Sequence, residues 1–457
     1  MSTPSVSRSL AGLRPRSRGD VAVLAVIVLG VPVLVGAFIP GSTSVRIGIV
    51  AALLALVAGW ITTVHPRITL GAFAFVLGFA PYAKLPGLEA PLVLVLGVGI
   101  WVALAFLPGV RLRPGWPEAV LGVVAVVALV SVLVTDPSPR ALLEYAAWLV
   151  ATAVVVPVRH LTAAGRRVVV RTFVAGAAAA SLIGIVLLRI DPDGRLLARL
   201  SVVGYRPEGG NAQFVHGVEG ESLRLTGTFV EPNIAGLVLA VALLLALATS
   251  RGALRAVLVT VIGLALALTL SRSALGTALV AIGLVALVAR GRQRGFVVAA
   301  GVGAAVLLLA VPVLRERLLT SFTPYDTGST ARGQALGGFA DAVAGHWWWG
   351  LGWDRMEFRD TAVAWKVNVV ANAPLLTLYR GGLVLAGVTG LVLVALVLRL
   401  LVVDRGRFEE VVLACGVAAF CLVALQLDYP VVTQAPATAV FSLLIGLSLA
   451  RRSGDGP

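Results

Sequence analysis

Ile234–Ala248 reads IAGLVLAVALLLALA, and no charge interrupts the chain from Pro232 to Ser250. A helix needs about 17–25 mostly apolar residues to cross a bilayer, and this stretch has that length. About thirteen more runs of the same kind are centred near Leu29, Leu54, Phe75, Leu96, Val126, Ala151, Ala179, Leu264, Gly283, Val302, Gly390, Ala418 and Leu443. Those near Phe75 and Ala151 are short or punctuated by Pro and charge. Composition agrees: 59% of the 457 residues are hydrophobic and 13% charged, against roughly 45–50% and about 25% in soluble chains. Mean hydropathy is +0.98. Fifty glycines and 23 prolines sit among these runs, as membrane helices tolerate. The expectation is an all-α polytopic membrane protein with about 14 transmembrane helices.

Arginine placement orients the chain. Alternate connections carry Arg8, Arg14, Arg16 and Arg18; Arg67; Arg111 and Arg113; Arg159, Arg166, Arg167 and Arg171; Arg251 and Arg255; Arg290, Arg292 and Arg294; Arg399, Arg405 and Arg407; and Arg451 and Arg452. The short connections on the other side hold only Arg46, Lys84, Arg140 and Arg272. By the positive-inside rule both termini are cytoplasmic. The first run ends in Ile39-Pro40-Gly41 rather than a small-residue cleavage site, so it reads as a span and not a signal peptide. The segments are then a tail 1–20, spans 21–189, a long external loop 190–225, spans 226–313, a second long external loop 314–371, closing spans 372–450 and a tail 451–457.

The formal net charge of +15 is spread between apolar segments. It fits topology signals and lipid headgroups, not nucleic acid. Cys415 and Cys421 lie six residues apart on different helix faces, about 9 Å along the axis, so neither a disulfide nor a metal site is expected. There is no Walker loop and no Gly-x-Ser-x-Gly elbow, and no metal or other cofactor is implied. The spans hold almost no acidic residues, which disfavours proton-coupled transport.

Chemistry concentrates at the external ends. The two long loops and their flanks carry Arg206, Arg224, Arg332, Arg355, Lys366, Arg380 and other basic residues. Topology does not require them, because long loops translocate regardless of charge. An external anion would account for them. Pro232 suits a first helical turn, placing Glu231 and Asn233 at a helix N-terminus. Ser271 is placed to cap a helix opening at Arg272, and Asn372 precedes a third such start at Pro374. An anion between these ends gains from helix dipole and guanidinium together. In the second loop, Ser329 or Thr330 can cap a helix running to about Ala344 and stopped by Gly345. Leu336, Phe339 and Val343 would share a face with Arg332, resting on lipid or turned to a cavity. His346-Trp347-Trp348-Trp349 reads as an interfacial anchor, Gly350-Leu351-Gly352 as a turn, and Asp428 as a solvated turn residue.

Three patterns together resemble the O-antigen ligase and O-antigen polymerase superfamily of bactoprenol-dependent membrane glycosyltransferases. They are Arg224-x-x-Gly227-Thr228-Phe229-x-x-Pro232-Asn233, then Leu270-Ser271-Arg272-Ser273-Ala274-Leu275-Gly276, then Arg332 through Gly350-Leu351-Gly352. The likeness covers about Arg224–Leu383. It implies a multi-pass protein of the cytoplasmic (inner) membrane that moves a glycan from an undecaprenyl-diphosphate carrier to a hydroxyl of a lipid or glycan acceptor. Arg224, Arg272, Arg332 and Arg380 would bind the diphosphate, with Asn233 and Asn372 orienting it. The family's loop histidine is replaced here by Ala371, and its acidic position by Arg380. His346, His216 and Glu231 are therefore the candidate substitute bases. Two rival readings stand beside this one: a transporter or flippase for lipid-linked glycan, and an inactive family member serving a polysaccharide assembly machine.

Overall fold

In a computed structural model of the chain, residues 43–84, 90–110, 112, 114–205, 214–217, 220–319, 337–353, 373–423 and 435–450 are described. The chain forms two compact units, with the boundary at Pro66. The described part of the first is a single helix, α1 (Thr43–Val64).

The second unit is helical. It contains α2 (Pro66–Phe79), α3 (Leu92–Phe106), α4 (Trp116–Thr135), α5 (Pro139–Ala153), α6 (Val155–His160), α7 (Ala163–Ile190) and the short α8 (Arg195–Ala198). After a hairpin come α9 (Pro232–Thr249), α10 (Gly252–Leu268), α11 (Arg272–Val288), α12 (Arg292–Ala310) and α13 (Pro312–Leu319). A helical turn α14 (Phe339–Ala342) precedes α15 (Ala373–Leu398), α16 (Phe408–Val423) and α17 (Ala435–Ser448). Local chemistry sets several starts. The Ser138 and Thr162 hydroxyls accept from the N–H groups of Ala141 and Gly165, and the Glu118 carboxylate accepts from Gly115 N–H at 2.8 Å. Each of these satisfies an orphan donor of a first turn.

Among the described residues five helices are long and apolar enough to cross a membrane: Trp116–Thr135, Pro139–His160, Ala163–Ile190, Pro232–Thr249 and Ala373–Leu401. A sixth is reached if Ala55–Val64 and α2 are counted as one span, and five further apolar helices have 10–17 residues. The chain is thus an all-α protein whose apolar helices mark it for a membrane; among the described residues fewer than the expected fourteen runs form helices of full span length, and the run near Leu29 lies outside them. Tight turns explain part of the shortfall: α10 and α11 have 17 residues each, because the turn between them takes its residues out of the apolar runs. The first long loop also holds an exception to the all-α expectation. It contains an antiparallel hairpin of β1 (Phe214–Gly217) and β2 (Gly220–Leu223), with His216 opposite Glu221.

The core forms around α9. It packs on α7, α10, α11, α16 and α17, and 15 of its 18 residues are buried. In its apolar window 83% is buried, against 22% for α4 and 17% for the α15 span, so α9 is enclosed by protein while those two present apolar side chains outward. Gly236 allows a close crossing with α11: a Cβ there would lie 2.5 Å from Ala274 Cβ and 3.1 Å from Cβ of its N-cap Ser271. Gly236→Leu should therefore cost about 1–3 kcal/mol through overpacking. Gly263→Leu on α10, where a Cβ meets nothing within 4 Å, should be tolerated. Thermal melts of the two purified variants give the comparison.

Candidate active site

The chain enters α9 through an anchored, strained turn. Thr228 Oγ1 donates to the Phe79 carbonyl, Tyr205 OH donates to the Thr228 carbonyl at 3.3 Å, and Phe229 is fully buried. Burial of Tyr205 pushes its phenol above the usual tyrosine range. With both flanks fixed, Val230 is forced to φ 67°, ψ −37°, and Glu231 N–H donates back to the Phe229 carbonyl at 2.7 Å. This is a γ-turn of the rare positive-φ kind, centred on a β-branched residue that disfavours it. The reversal sets Glu231 as the N-cap of α9 and Pro232 as its first helical residue, where a proline loses no bond.

A second tight turn faces it. Helix α10 ends at Leu268, Leu270 takes φ 51°, and α11 begins at Arg272 with Ser271 as N-cap. The Ser271 side chain does not cap the helix; its Oγ lies 3.3 Å from Ser273 Oγ, while Thr269 Oγ1 accepts from Ser271 N–H at 3.2 Å. Among the described residues, Val230 and Leu270 are the non-glycine residues with positive φ. Each sits beside one of the two arginine motifs. Such strain costs about 1–3 kcal/mol per residue and gathers at functional sites.

Arg224 ties the two turns together. Its Nε donates to the Thr269 carbonyl at 2.9 Å and its Nη2 to Asn233 Oδ1 at 2.9 Å, while Leu225 N–H donates to the Leu268 carbonyl at 2.9 Å. The structure thus brings Arg224, Glu231, Asn233, Ser271 and Arg272 to one end of the helix bundle. Asn233 is exposed, Arg224, Glu231 and Arg272 are half-buried, and Arg272 Nη1 is buried. The hollow on the α7 side of Arg224, lined also by Asp191, Pro192 and Gly227, has about 20 Å³. That is room for about one water and not for a diphosphate, so a diphosphate-sized anion would have to lie over the open helix ends at Asn233 and Arg272.

Arg380 belongs to a different set of contacts. Its Nη1 is 3.4 Å from Glu144 Oε2, and its guanidinium lies 6.0 Å from the Trp353 ring centroid. Trp353 is buried, donates from Nε1 to Ser131 Oγ at 3.1 Å, and stacks edge-on with Tyr145 and Trp148. The Gly350-Leu351-Gly352 turn docks on a break in α15 beside Arg380. Leu351 N–H donates to the Tyr379 carbonyl at 2.7 Å, Gly352 N–H to the Arg380 carbonyl at 3.2 Å, and Leu383 N–H to the Trp347 carbonyl at 2.8 Å. Glu144 and Trp353 are not among the residues that the sequence points to. Glu144 carried a signal, a charge inside an apolar run; Trp353 carried none.

Phe339 and Val343 are buried against Tyr379, so the described end of the expected amphipathic helix rests on protein and not on lipid. Gly345 follows at φ 80°. His346 is exposed next to Trp347 and Trp348, themselves 40% and 68% exposed. His216 sits in β1, and its side chain is outside the described residues, as are Arg332, Ala371, Asn372 and Asp428. Among the described residues no cluster of His, Cys, Asp and Glu could hold a metal ion.

No family model, characterised protein or solved structure matches this chain. Any functional assignment therefore rests on the residues themselves.

Proposed function

We propose that the chain is a membrane glycosyltransferase of O-antigen ligase type, moving a glycan from undecaprenyl diphosphate to an acceptor hydroxyl at the external face of the cytoplasmic membrane. The observation that supports it most is the meeting of Arg224, Asn233 and Arg272 from two remote motifs at two positive-φ turns.

In this reading the acceptor O–H adds to the anomeric carbon as the bond from that carbon to the diphosphate oxygen breaks. The acceptor proton passes to a base, and the electron pair leaves with undecaprenyl diphosphate. The arginines counter that growing charge, which is commonly the largest contribution to such catalysis. Arg224 is held by the Thr269 carbonyl and Asn233, so it is preorganised and needs little rearrangement as the leaving group departs. Glu231, on the same turn, is the base this geometry favours, worth about 10²–10⁴-fold where one acts. Arg380 is assigned to holding the fold through Glu144 and Trp353.

Proteoliposomes given undecaprenyl-diphosphate oligosaccharide and an acceptor should yield glycosylated acceptor and free undecaprenyl diphosphate. Asn233→Ala should lower that yield about tenfold, by releasing one arm of Arg224, with an unchanged melting temperature because the side chain is exposed. The rival of a non-catalytic subunit is favoured by Ala371 in place of the family histidine. It predicts no product from the wild type and product gained by Ala371→His. Glycan movement without any covalent product would favour the transporter reading.

A further inference from the structure

An apolar groove of about 540 Å³ lies between α4, α15 and α17. Its walls run from Trp116 to Val124 on α4 and from Val388 to Leu396 on α15, about 12 Å along each helix. That is close to one leaflet, half of a hydrocarbon core of about 30 Å. One end of the groove is charged. Glu118, flanked by the wall residues Pro117 and Ala119, takes Arg159 Nη1 and lies 3.0 Å from His160 Nε2. Arg159 is 5% exposed and lies one helical turn beyond the wall residue Val155. Its Nε is buried with no hydrogen-bond partner among the described residues. Arg399 follows Leu396 and donates to Ser448 Oγ at 2.6 Å, next to the wall residue Leu449. Glu410 acts on Arg399 more strongly than the like charge of Arg159 does.

We propose that this groove is a binding site for an anionic phospholipid, with one acyl chain lying along α4 and α15 and the headgroup phosphate at Arg399 and Arg159. The depth suits a leaflet-long chain, and the polar end carries Arg399 and the Glu118-paired Arg159 where a headgroup would sit. A protein helix would also cover apolar walls, but it would not account for Arg399 beside the Arg159–Glu118 pair at one end. The arginine alternation puts this end on the cytoplasmic side, remote in topology from the external helix ends at Arg224. The proposal does not depend on glycan transfer.

Purified protein exchanged into vesicles of equal dioleoylphosphatidylglycerol and dioleoylphosphatidylcholine, then extracted and examined by native mass spectrometry, tests it. The wild type should retain phosphatidylglycerol over phosphatidylcholine by about fivefold or more, the attraction of one arginine for an anionic headgroup. Arg399→Gln should bring the two lipids close to parity while lipid is still bound. Ala395→Trp, at an exposed wall position, should remove bound lipid of both kinds; Leu391→Trp, at a wall residue 72% exposed, repeats the test if the first variant does not fold. Equal retention of both lipids by the wild type overturns the proposal. So does retention untouched by both tryptophans, or a paired assembly of two copies that the tryptophans separate.

Discussion

Arg272→Glu is expected to reduce glycan transfer at least about 10³-fold in protein that still inserts and melts like the wild type. Removing one preorganised donor to developing negative charge costs about 10²–10³-fold, and reversing the charge adds repulsion of the departing diphosphate. The fold should survive. The position of α11 is fixed by Gly236 against Ala274 and Ser271, and its adjoining turn is held by Arg224 on the Thr269 carbonyl and by Leu225 on Leu268. None of these contacts uses the Arg272 side chain. Arg272→Lys should keep part of the activity, since it retains the charge but not the planar fork. Arg195→Glu, 76% exposed in its side chain, serves as the charge-reversal control. Transfer by Arg272→Glu at the control's rate, assayed in proteoliposomes, would remove Arg272 from the active site.

Gly382→Ala should be the most destabilising single-methyl change in the described core, at about 3 kcal/mol or more. Gly382 has φ 69° and ψ −172°, a region open to glycine and essentially closed to other residues. A Cβ there would collide with the backbone of Trp348 and Trp349. Neither a rotamer change nor a flexible side chain can relieve that contact. Strain and overpacking each contribute about 1–3 kcal/mol. The damage should spread to the Gly350-Leu351-Gly352 turn, which hangs on the Tyr379 and Arg380 carbonyls freed by the same break. A lowered melting temperature with faster proteolysis at Trp347–Gly352 is the expected result. Gly387→Ala on the same helix, where a Cβ meets nothing within 4 Å, should be neutral or stabilising by about 0.5–1 kcal/mol. Equal melting of the two variants would mean that the α15 break does not constrain the fold.

The structure brings two motifs together that the sequence could only place on the same side. Arg224 and Arg272 are 48 positions apart, and their common location follows from α9 and α10 forming an antiparallel pair that returns the chain to its start. Arg380 shows the opposite outcome. The sequence offers it as a further cation for an anionic ligand, yet Glu144, 236 positions earlier, supplies a carboxylate within the protein.

Composition and run length alone establish that this chain builds apolar helices for a membrane, because transfer of apolar surface depends on residue content and not on neighbours. Proline and capping residues likewise mark where α5, α7 and α9 begin, since those bonds close within a few positions of the chain. Tertiary structure alone decided which apolar helix is enclosed. The sequences of α9 and α15 are alike in apolar character, but α9 is surrounded by α7, α10, α11, α16 and α17 while α15 packs mainly on α4 and α16. It also decided that Val230 and Leu270 take positive φ. No local preference favours that; it is imposed by anchors such as Thr228 on Phe79 and Arg224 on Thr269, which link residues far apart in the chain.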